Sequence, residues 1–278
     1  MNKLATWAAV VAALIIGAPV FAADMAVKAP PPAPAPLPTW TGFYGGIQFG
    51  GGWNDEAVNY SPNDTGSAVL INGSATTAPM PNGYRISQGG LVGGVEAGYN
   101  WQWSNWLLGV EADFSLSGMD GRASITSNFA TLAVPVTQTS AAEQSTDWYG
   151  TVRGRVGWLA TPNLLLFGTG GFAYGRVDGS ASYTLVGQNV FFGTFTCFPN
   201  SACFSGSSAA IRTGWTAGGG AEWLLDQHWS AKIEYQFVDL GTETVQIIST
   251  NPIGSSSFNA AFHDRFNVVR LGLNYRFW

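Results

Sequence analysis

Apolar residues recur at every second position in eight separate segments of the chain after Thr39. In the first segment, Phe43, Ile47 and Phe49 alternate with Tyr44 and Gln48, which places the two sets on opposite faces of a strand. The eight segments cover residues 43–53, 91–102, 106–116, 148–158, 164–177, 215–223, 229–237 and 269–277. Each is 9 to 14 residues long, enough to cross a bilayer when tilted. The pattern predicts eight β-strands, each with one apolar face and one polar or glycine-rich face.

The connections between these segments alternate strictly between short and long. The tight connections are residues 104–105, 160–163 and 226–228, and the long ones are residues 54–90, 118–147, 178–212 and 240–265. This order places all tight turns at one end of the sheet, an asymmetry typical of outer-membrane barrels. Closure into a barrel also removes sheet edges from lipid. The sequence therefore predicts an all-β fold in residues 40–278: an eight-stranded antiparallel transmembrane β-barrel with short periplasmic turns and long extracellular loops.

The composition excludes two other classes of protein. Only 10% of the residues are charged, against about 25% in a typical soluble protein, and 36 glycines oppose long helices. Beyond residue 22 there is no run of about 18 apolar residues of the kind that a membrane-spanning helix needs. A soluble helical enzyme and a helical membrane protein are both excluded. The net charge of −5 also argues against nucleic acid as a partner.

Two segments precede the predicted barrel. Residues 1–22 combine Lys3, an apolar stretch and a small-residue cleavage triplet, which is typical of a secretory signal peptide cleaved between Ala22 and Ala23. An uncleaved membrane anchor is the alternative. Residues 23–39 are rich in proline and predict an extended periplasmic tether, either a spacer or a strip that contacts the cell wall. An exported barrel of this kind is expected in the cell outer membrane.

The tryptophans concentrate at the two ends of the predicted strands, where two interfacial girdles are expected because indole prefers the headgroup zone. At the tight-turn end lie Trp40, Trp101, Trp103, Trp106, Trp158, Trp223, Trp229 and Trp278, and at the long-loop end lie Trp53, Trp148 and Trp215. Random placement in a soluble core would not sort the indoles in this way.

Five acids and five bases fall on the inward faces of the predicted strands. They are Glu96, Glu111, Asp113, Glu222 and Glu234, with Arg153, Arg155, Lys232, Arg270 and Arg276. The interior of an eight-stranded barrel is just wide enough to be filled by side chains, so charges there must pair or be hydrated. We expect a lumen charge network that plugs the barrel. A narrow path for water or ions through the same network is the alternative.

Most of the remaining acids lie in the long loops, among them Asp120, Asp178, Glu243 and Asp264. These carboxylates either provide solubility or share divalent cations with anionic lipopolysaccharide. Outer-membrane lipid and lipopolysaccharide are therefore the expected partners.

Residue patterns typical of catalysis or cofactor binding are scarce. Cys197 and Cys203 share the third long loop of an exported protein, which favours a disulfide. His228 and His263 belong to different connections, so a metal site is not expected. The adjacent pair His263 and Asp264 is the one candidate for surface proteolysis, a minor alternative. We expect no catalytic residue, no metal and no cofactor, and hence no enzyme.

Six short motifs occur in order along the chain. They are residues 22–31 (AADMAVKAPP), 40–46 (WTGFYGG), 93–100 (GGVEAGYN), 147–157 (DWYGTVRGRVG), 169–175 (TGGFAYG) and 271–277 (LGLNYRF). As an ordered set they resemble the small outer-membrane β-barrel proteins of alphaproteobacteria, whose members are often named porins. The resemblance implies an abundant eight-stranded barrel with roles in envelope integrity and at the host surface.

The end of the chain bears on assembly. Barrels of this group usually end on an aromatic residue that the barrel-assembly machinery reads, and here Phe277 is followed by Trp278. The resemblance therefore implies an assembly signal formed by Leu273, Tyr275, Phe277 and Trp278. From all these features we expect a structural outer-membrane protein. A narrow channel and a surface receptor or adhesin are the alternatives.

Overall fold

The computed structural model describes residues 39–73, 79–131, 134–189, 193–196, 203–250 and 256–277. The predicted signal peptide and all of the predicted tether except Thr39 lie outside these ranges, as do Cys197 and Trp278. What the sequence indicates for those segments stays a prediction.

Ten strands and one short helix make up nearly all of the described chain. They are β1 (Gly42–Ala57), β2 (Asn59–Pro62), α1 (Thr65–Asn72), β3 (Arg85–Trp103), β4 (Trp106–Thr131), β5 (Val134–Thr161), β6 (Leu164–Asn189), β7 (Gly193–Thr196), β8 (Phe204–Leu224), β9 (Trp229–Ser249) and β10 (Ser257–Arg276). Among the described residues, no helix is long and apolar enough to cross a membrane.

Eight long antiparallel strands close into a ring, as predicted. Each long strand pairs with the next one along the chain, and β1 pairs with β10 from Tyr44 opposite Arg276 to Trp53 opposite Asn267. The short strands β2 and β7 add to β10 and β6. Ser104, in the tight turn between β3 and β4, adopts a positive φ of 56°. The predicted eight-stranded barrel is therefore confirmed.

The predicted alternation of faces is confirmed in the part of each strand that the sequence assigns to the bilayer. On β1, Phe43, Ile47 and Phe49 are exposed on the outer surface, whereas Tyr44 and Gln48 are buried inside. The fifth predicted segment also faces as expected, because Leu166 and Phe172 are exposed, Tyr174 is half-buried and Ala173 is buried. This membrane half has the apolar exterior that lipid requires.

The segments predicted as long loops are in large part continuous strand. β4, β5 and β6 extend to 26, 28 and 26 residues, about twice the predicted length. The expectation of loops was wrong there because these segments are rich in serine and threonine, and their alternation carries little hydrophobic contrast. We call the described residues of 54–90, 118–147, 178–212 and 240–265 the extracellular half.

The wall of the extracellular half opens at two places. The ladder between β3 and β4 ends at Gly89 and Asp120, and the ladder between β8 and β9 is interrupted between Ser205 and Trp215. Gly241, at this interruption, has a φ of +90°, which favours glycine. β4, β5, β6 and β8 thereby form one sheet, and β9, β10 and β2 form another.

An apolar core fills the extracellular half. Ala142, Tyr183 and Phe204 from the first sheet belong to one cluster of buried side chains with Ile247 and Phe258 from the second. Residues from β3 and α1 belong to the same cluster. The interior above the membrane is thus that of a soluble β-sandwich.

Helix α1 is fixed at its start by Asp64. The Asp64 carboxylate accepts hydrogen bonds from the backbone N–H of Ser67 and of Ser257, both at 2.8 Å. These bonds hold the pKa of Asp64 below its ordinary value. The cap therefore ties the helix to the first residue of β10.

Candidate functional site

The lumen charge network lies at inward positions of six of the eight long strands, β3 to β5 on one side of the ring and β8 to β10 on the other. Strand pairing brings several of its members face to face: Glu111 is opposite Arg153, and Glu234 is opposite Arg270. Other members, such as Glu96 and Lys232, meet across the lumen from β3 and β9. Inward residues are two apart on each strand, so β4 contributes two acids, β5 two arginines, and β9 one base and one acid.

Two cations hold the centre of the network. Arg153 donates to Glu111, Asp113 and Glu234, and the Asp113 contact is 3.1 Å long. Arg270 reaches Asp113 and Glu234, with an Nη2–Oε2 distance of 3.0 Å to Glu234. These side chains are at most 1% exposed. Each buried carboxylate therefore has a cation in direct contact, as burial requires.

Lys232 occupies the point where three carboxylates converge. Its Nζ donates to Glu96 and lies 3.4 Å from oxygens of both Glu111 and Glu234. One carboxylate oxygen of each of these three glutamates lies within 4.8 Å of the others, a spacing that could hold a metal ion. The ammonium group occupies that position, so the lumen contains its own cation.

Neutral donors complete the network at positions that sequence reasoning did not select. Tyr44 donates to Glu111, Thr151 donates to Asp113, and Asn274 donates to Glu222 at 3.1 Å. Arg155 pairs with Glu222, and its guanidinium lies 4.0 Å from the centre of the Phe167 ring. Their inward position on the predicted strands was the available signal.

Arg276 stands apart from the other nine charged residues. It donates to the backbone oxygen of Thr39 and lies 5.4 Å from the Trp40 ring. It makes no ion pair with any residue that the structure describes. The five acids of the lumen therefore face four cations, and Oε1 of Glu96 has no hydrogen-bond partner among the described residues.

Apolar tiers close the lumen on both sides of the charges. At the tight-turn end, buried Trp40 belongs to a cluster with Leu107, Leu159, Leu165, Phe167 and Leu224. At the other side, a second cluster contains Met119, Tyr149, Leu240, Phe266 and Val268. The interior of the membrane half is thus filled in three layers, apolar, charged and apolar.

Comparison with known proteins agrees with the barrel fold. A family model for the outer membrane protein beta-barrel domain matches residues 9–277. The chain belongs to this family. The predicted resemblance and the outer-membrane location are thereby confirmed.

Two relatives of this chain come from alphaproteobacteria. The chain is 35% identical to the 31 kDa outer-membrane immunogenic protein of Brucella melitensis, over 92% of each chain. It is 27% identical to the 22 kDa outer membrane protein of Rhizobium leguminosarum, over 68% of this chain and 67% of that one. The solved structure of OprG from Pseudomonas aeruginosa aligns with a TM-score of 0.44 at 11% identity, covering 85% of this chain and 97% of OprG.

Most of the tryptophans predicted for the girdles face outwards in this family member. The exposed indoles are Trp53, Trp101, Trp103, Trp106, Trp158, Trp215, Trp223 and Trp229, and Trp148 is half-buried. Trp40 was wrongly assigned to the girdle. It is 1% exposed, because it precedes β1 at an inward position and its indole N–H donates to the backbone oxygen of Pro162 at 3.1 Å.

The predicted assembly signal lies on the outer surface of β10 and just beyond it. Leu273, Tyr275 and Phe277 are exposed together, and the Tyr275 ring lies 5.1 Å from Trp229 and 5.5 Å from Phe277. These contacts form an aromatic patch at the tight-turn end. Its recognition by the assembly machinery stays a prediction.

Cys203 is disulfide-bonded and buried in the extracellular core. Its predicted partner Cys197 lies outside the described residues, so the pairing itself stays a prediction.

Two of the acids assigned to the outer loops are in fact buried beside the interruption in the wall. Glu243 lies 3.2 Å from Arg212, and Asp264 accepts from Gln144. Burial, reinforced by the charge of Glu243, raises the pKa of Asp264 to about 7. His263 instead bonds Thr242 at 2.9 Å and is part-exposed, so it points away from Asp264. The proteolytic pair named as a minor alternative from the sequence is therefore not formed.

Proposed function

We propose that this chain is a structural, non-catalytic barrel that supports the integrity of the outer membrane and does not conduct through its lumen. The observation that carries the proposal is the three-layer filling of the membrane half. Ion pairs join its acids and cations directly, and the apolar clusters above and below contain large side chains such as Trp40, Leu107 and Phe266.

Conductance in planar bilayers tests the closed lumen. We expect the refolded protein to give no steady single-channel steps, because any ion would have to displace paired charges and then cross an apolar layer. Trp40→Ala removes the largest side chain of the lower layer and should raise leakage. Trp103→Ala, which truncates an exposed outer indole, is the matched control and should leave the membrane sealed.

Steady currents from the unaltered protein would overturn the closed lumen. If the charge reversal Arg153→Glu also changed their ion selectivity, the narrow channel expected as an alternative from the sequence would be the better description.

Envelope integrity is tested in cells. A strain lacking the gene should become more sensitive to detergents and chelators, and both the unaltered protein and Trp103→Ala should restore resistance. Unchanged sensitivity in the deletion strain would contradict a supporting role.

A surface receptor or adhesin is the second candidate, favoured by the folded core of the extracellular half. A folded body above the membrane presents a fixed surface to a partner, which an unstructured loop does not. Shortening the β4–β5 hairpin between residues 122 and 143 should abolish cell attachment while the barrel still assembles. Unchanged attachment would remove this candidate.

A further inference from the structure

The outward side chains of β6 change character in a fixed order as the strand leaves the membrane. Phe172 and Tyr174 are followed at alternate positions by Arg176 and Asp178, and then by hydroxyl residues that begin with Ser180. With about 3.3 Å per residue along a strand, the hydroxyl stretch begins roughly 20 Å along β6 from Tyr174. One strand therefore presents an aromatic, a charged and a hydroxyl tier in succession.

Neighbouring strands extend the aromatic tier at the outer edge of the lipid-facing surface. The Trp148 ring on β5 lies 5.5 Å from Phe114 on β4 and 6.1 Å from Tyr174 on β6. The Phe172 and Tyr174 rings stack at 6.1 Å. Such a patch suits the boundary between acyl chains and headgroups.

The charged tier lies directly above these rings. Arg176 Nε is 3.4 Å from carboxylate oxygens of both Asp147 and Asp178. One outward position higher, level with Ser180, Arg122 is 3.8 Å from Glu143. All five charged side chains are at least 36% exposed. Exposed ion pairs add little to stability. Because these side chains are exposed, their charges remain accessible to phosphates and to divalent cations.

Strand register aligns the hydroxyl tier across the sheet. Glu143 on β5 is opposite Ser180 on β6, and Ser180 is opposite Ser207 on β8. One row higher, Ser182 is opposite Ser205. Two recesses of about 590 and 340 Å³ cover this face, and both are lined by Glu143, Ser180 and Ser207. The short side chains thus leave a continuous polar depression.

We infer that this outward face of β4, β5, β6 and β8 binds the core saccharide of the lipopolysaccharide that surrounds the barrel. From the bilayer outwards, lipopolysaccharide presents acyl chains, then phosphorylated sugars, then neutral and acidic core sugars. The three tiers of the wall present aromatic, charged and hydroxyl groups in the matching order. The face continues directly from the lipid-facing surface, and the core sugars of the surrounding lipopolysaccharide lie at this distance from the bilayer.

The inference rests on the outer-membrane location and not on the closed lumen. A conducting barrel could have the same sugar-binding face, so failure of either proposal leaves the other standing.

Binding of a core oligosaccharide freed from lipid A tests the inference, with the protein held in phospholipid nanodiscs and titrated by calorimetry. We expect the unaltered protein to bind. The double variant Ser180→Trp with Ser207→Trp fills the shared part of both recesses and should bind at least tenfold more weakly. Thr244→Trp, at an exposed outward position of β9 in the same half, is the matched control and should bind normally.

Folding of each variant is checked by heat-modifiable migration in gels. Absence of binding to the unaltered protein would overturn the inference, as would equal binding by the folded double variant. Binding of lipid A alone, with no gain from the core sugars, would also overturn it and would assign the contact to the lower tiers.

Discussion

On β4, Val110 faces lipid and Glu111 faces the lumen, whereas farther along the same strand Ser124 faces outwards and Ile125 packs inwards. The membrane half has charges inside and apolar residues outside, and the extracellular half has the reverse. The backbone pairing between β4 and β5 continues on both sides of one irregularity. The strand structure is therefore the same in both halves and does not determine which face is polar. The solvent around each half does.

The two halves meet where the ladders are irregular. Register shifts fall between Leu116 and Met119 on β4, between Thr146 and Trp148 on β5, and between His263 and Arg265 on β10. Bulges bend strands and re-aim side chains. Their concentration at one level lets a narrow barrel with a charged lumen become a two-sheet body with an apolar core.

The largest expected effect comes from breaking the charged interior. Arg153→Ala leaves Glu111, Asp113 and Glu234 without their shared partner in a buried site, so unfolding in urea should show a loss of about 5 kcal/mol. Arg176→Ala removes an exposed ion-pairing arginine and should cost less than about 1 kcal/mol. Similar losses for the two variants would contradict the contrast between the halves.

Breaking the apolar interior should have a smaller and more local effect. Phe258→Ala removes a fully buried ring from the extracellular core and should cost about 3 to 4 kcal/mol. Limited proteolysis should then cut the extracellular half and leave the membrane half protected. Phe172→Ala, on the outer surface, is the control and should leave the protease pattern unchanged. If Phe258→Ala caused loss of the whole barrel, the interiors of the two halves would not be stable independently of each other.

The exteriors can be compared with one substitution at two heights on β4. Val110→Arg places a charge in the lipid-facing surface and should cost about 2 to 3 kcal/mol. Ser124→Arg places the same charge in solvent and should change stability by less than about 0.5 kcal/mol. Refolding yields in vesicles measure both, and equal yields would place the boundary of the bilayer elsewhere.

The most local effect is a pH dependence confined to the extracellular half. Folding raises the pKa of Asp264 to about 7. Protonated Asp264 therefore stabilises the folded state fully below about pH 4, and this stabilisation is lost as the pH rises through 7. Relative to Asp264→Asn, the unaltered protein should become progressively less stable between pH 4 and pH 8, because the folded state holds the proton of Asp264 more tightly than the unfolded chain does. Parallel stability curves for the two proteins would show that Asp264 does not titrate in this range.

The sequence predicted the membrane half well because lipid outside and charges inside give strong alternation. Leu108, Val110 and Ala112 alternate with Gly109 and Glu111 so clearly that the face on which each residue lies follows directly. The order of pairing along the chain follows as well, since short turns force neighbouring strands together.

The extracellular half was predicted poorly for a physical reason. Its outward residues are small hydroxyls and its inward residues include Ala142 and Ala181, so the hydrophobic contrast between faces is weak. The positive φ of Gly241 and the neighbouring bulge change which residues point inwards, which buries Glu243. Trp40 was misplaced because an indole near a strand end suits an interface as well as it suits a plug.

The ladder between β1 and β10 joins residues more than 200 positions apart, from Tyr44 with Arg276 to Trp53 with Asn267. In kinetic terms, this is the contact of longest sequence separation in the ring, and its formation bears the largest loop-closure entropy. Until the final strand arrives, both edges of the sheet keep unpaired N–H and C=O groups, which lipid does not tolerate. The ring therefore closes only when the last strand is present. A prematurely terminated chain retains two unpaired sheet edges.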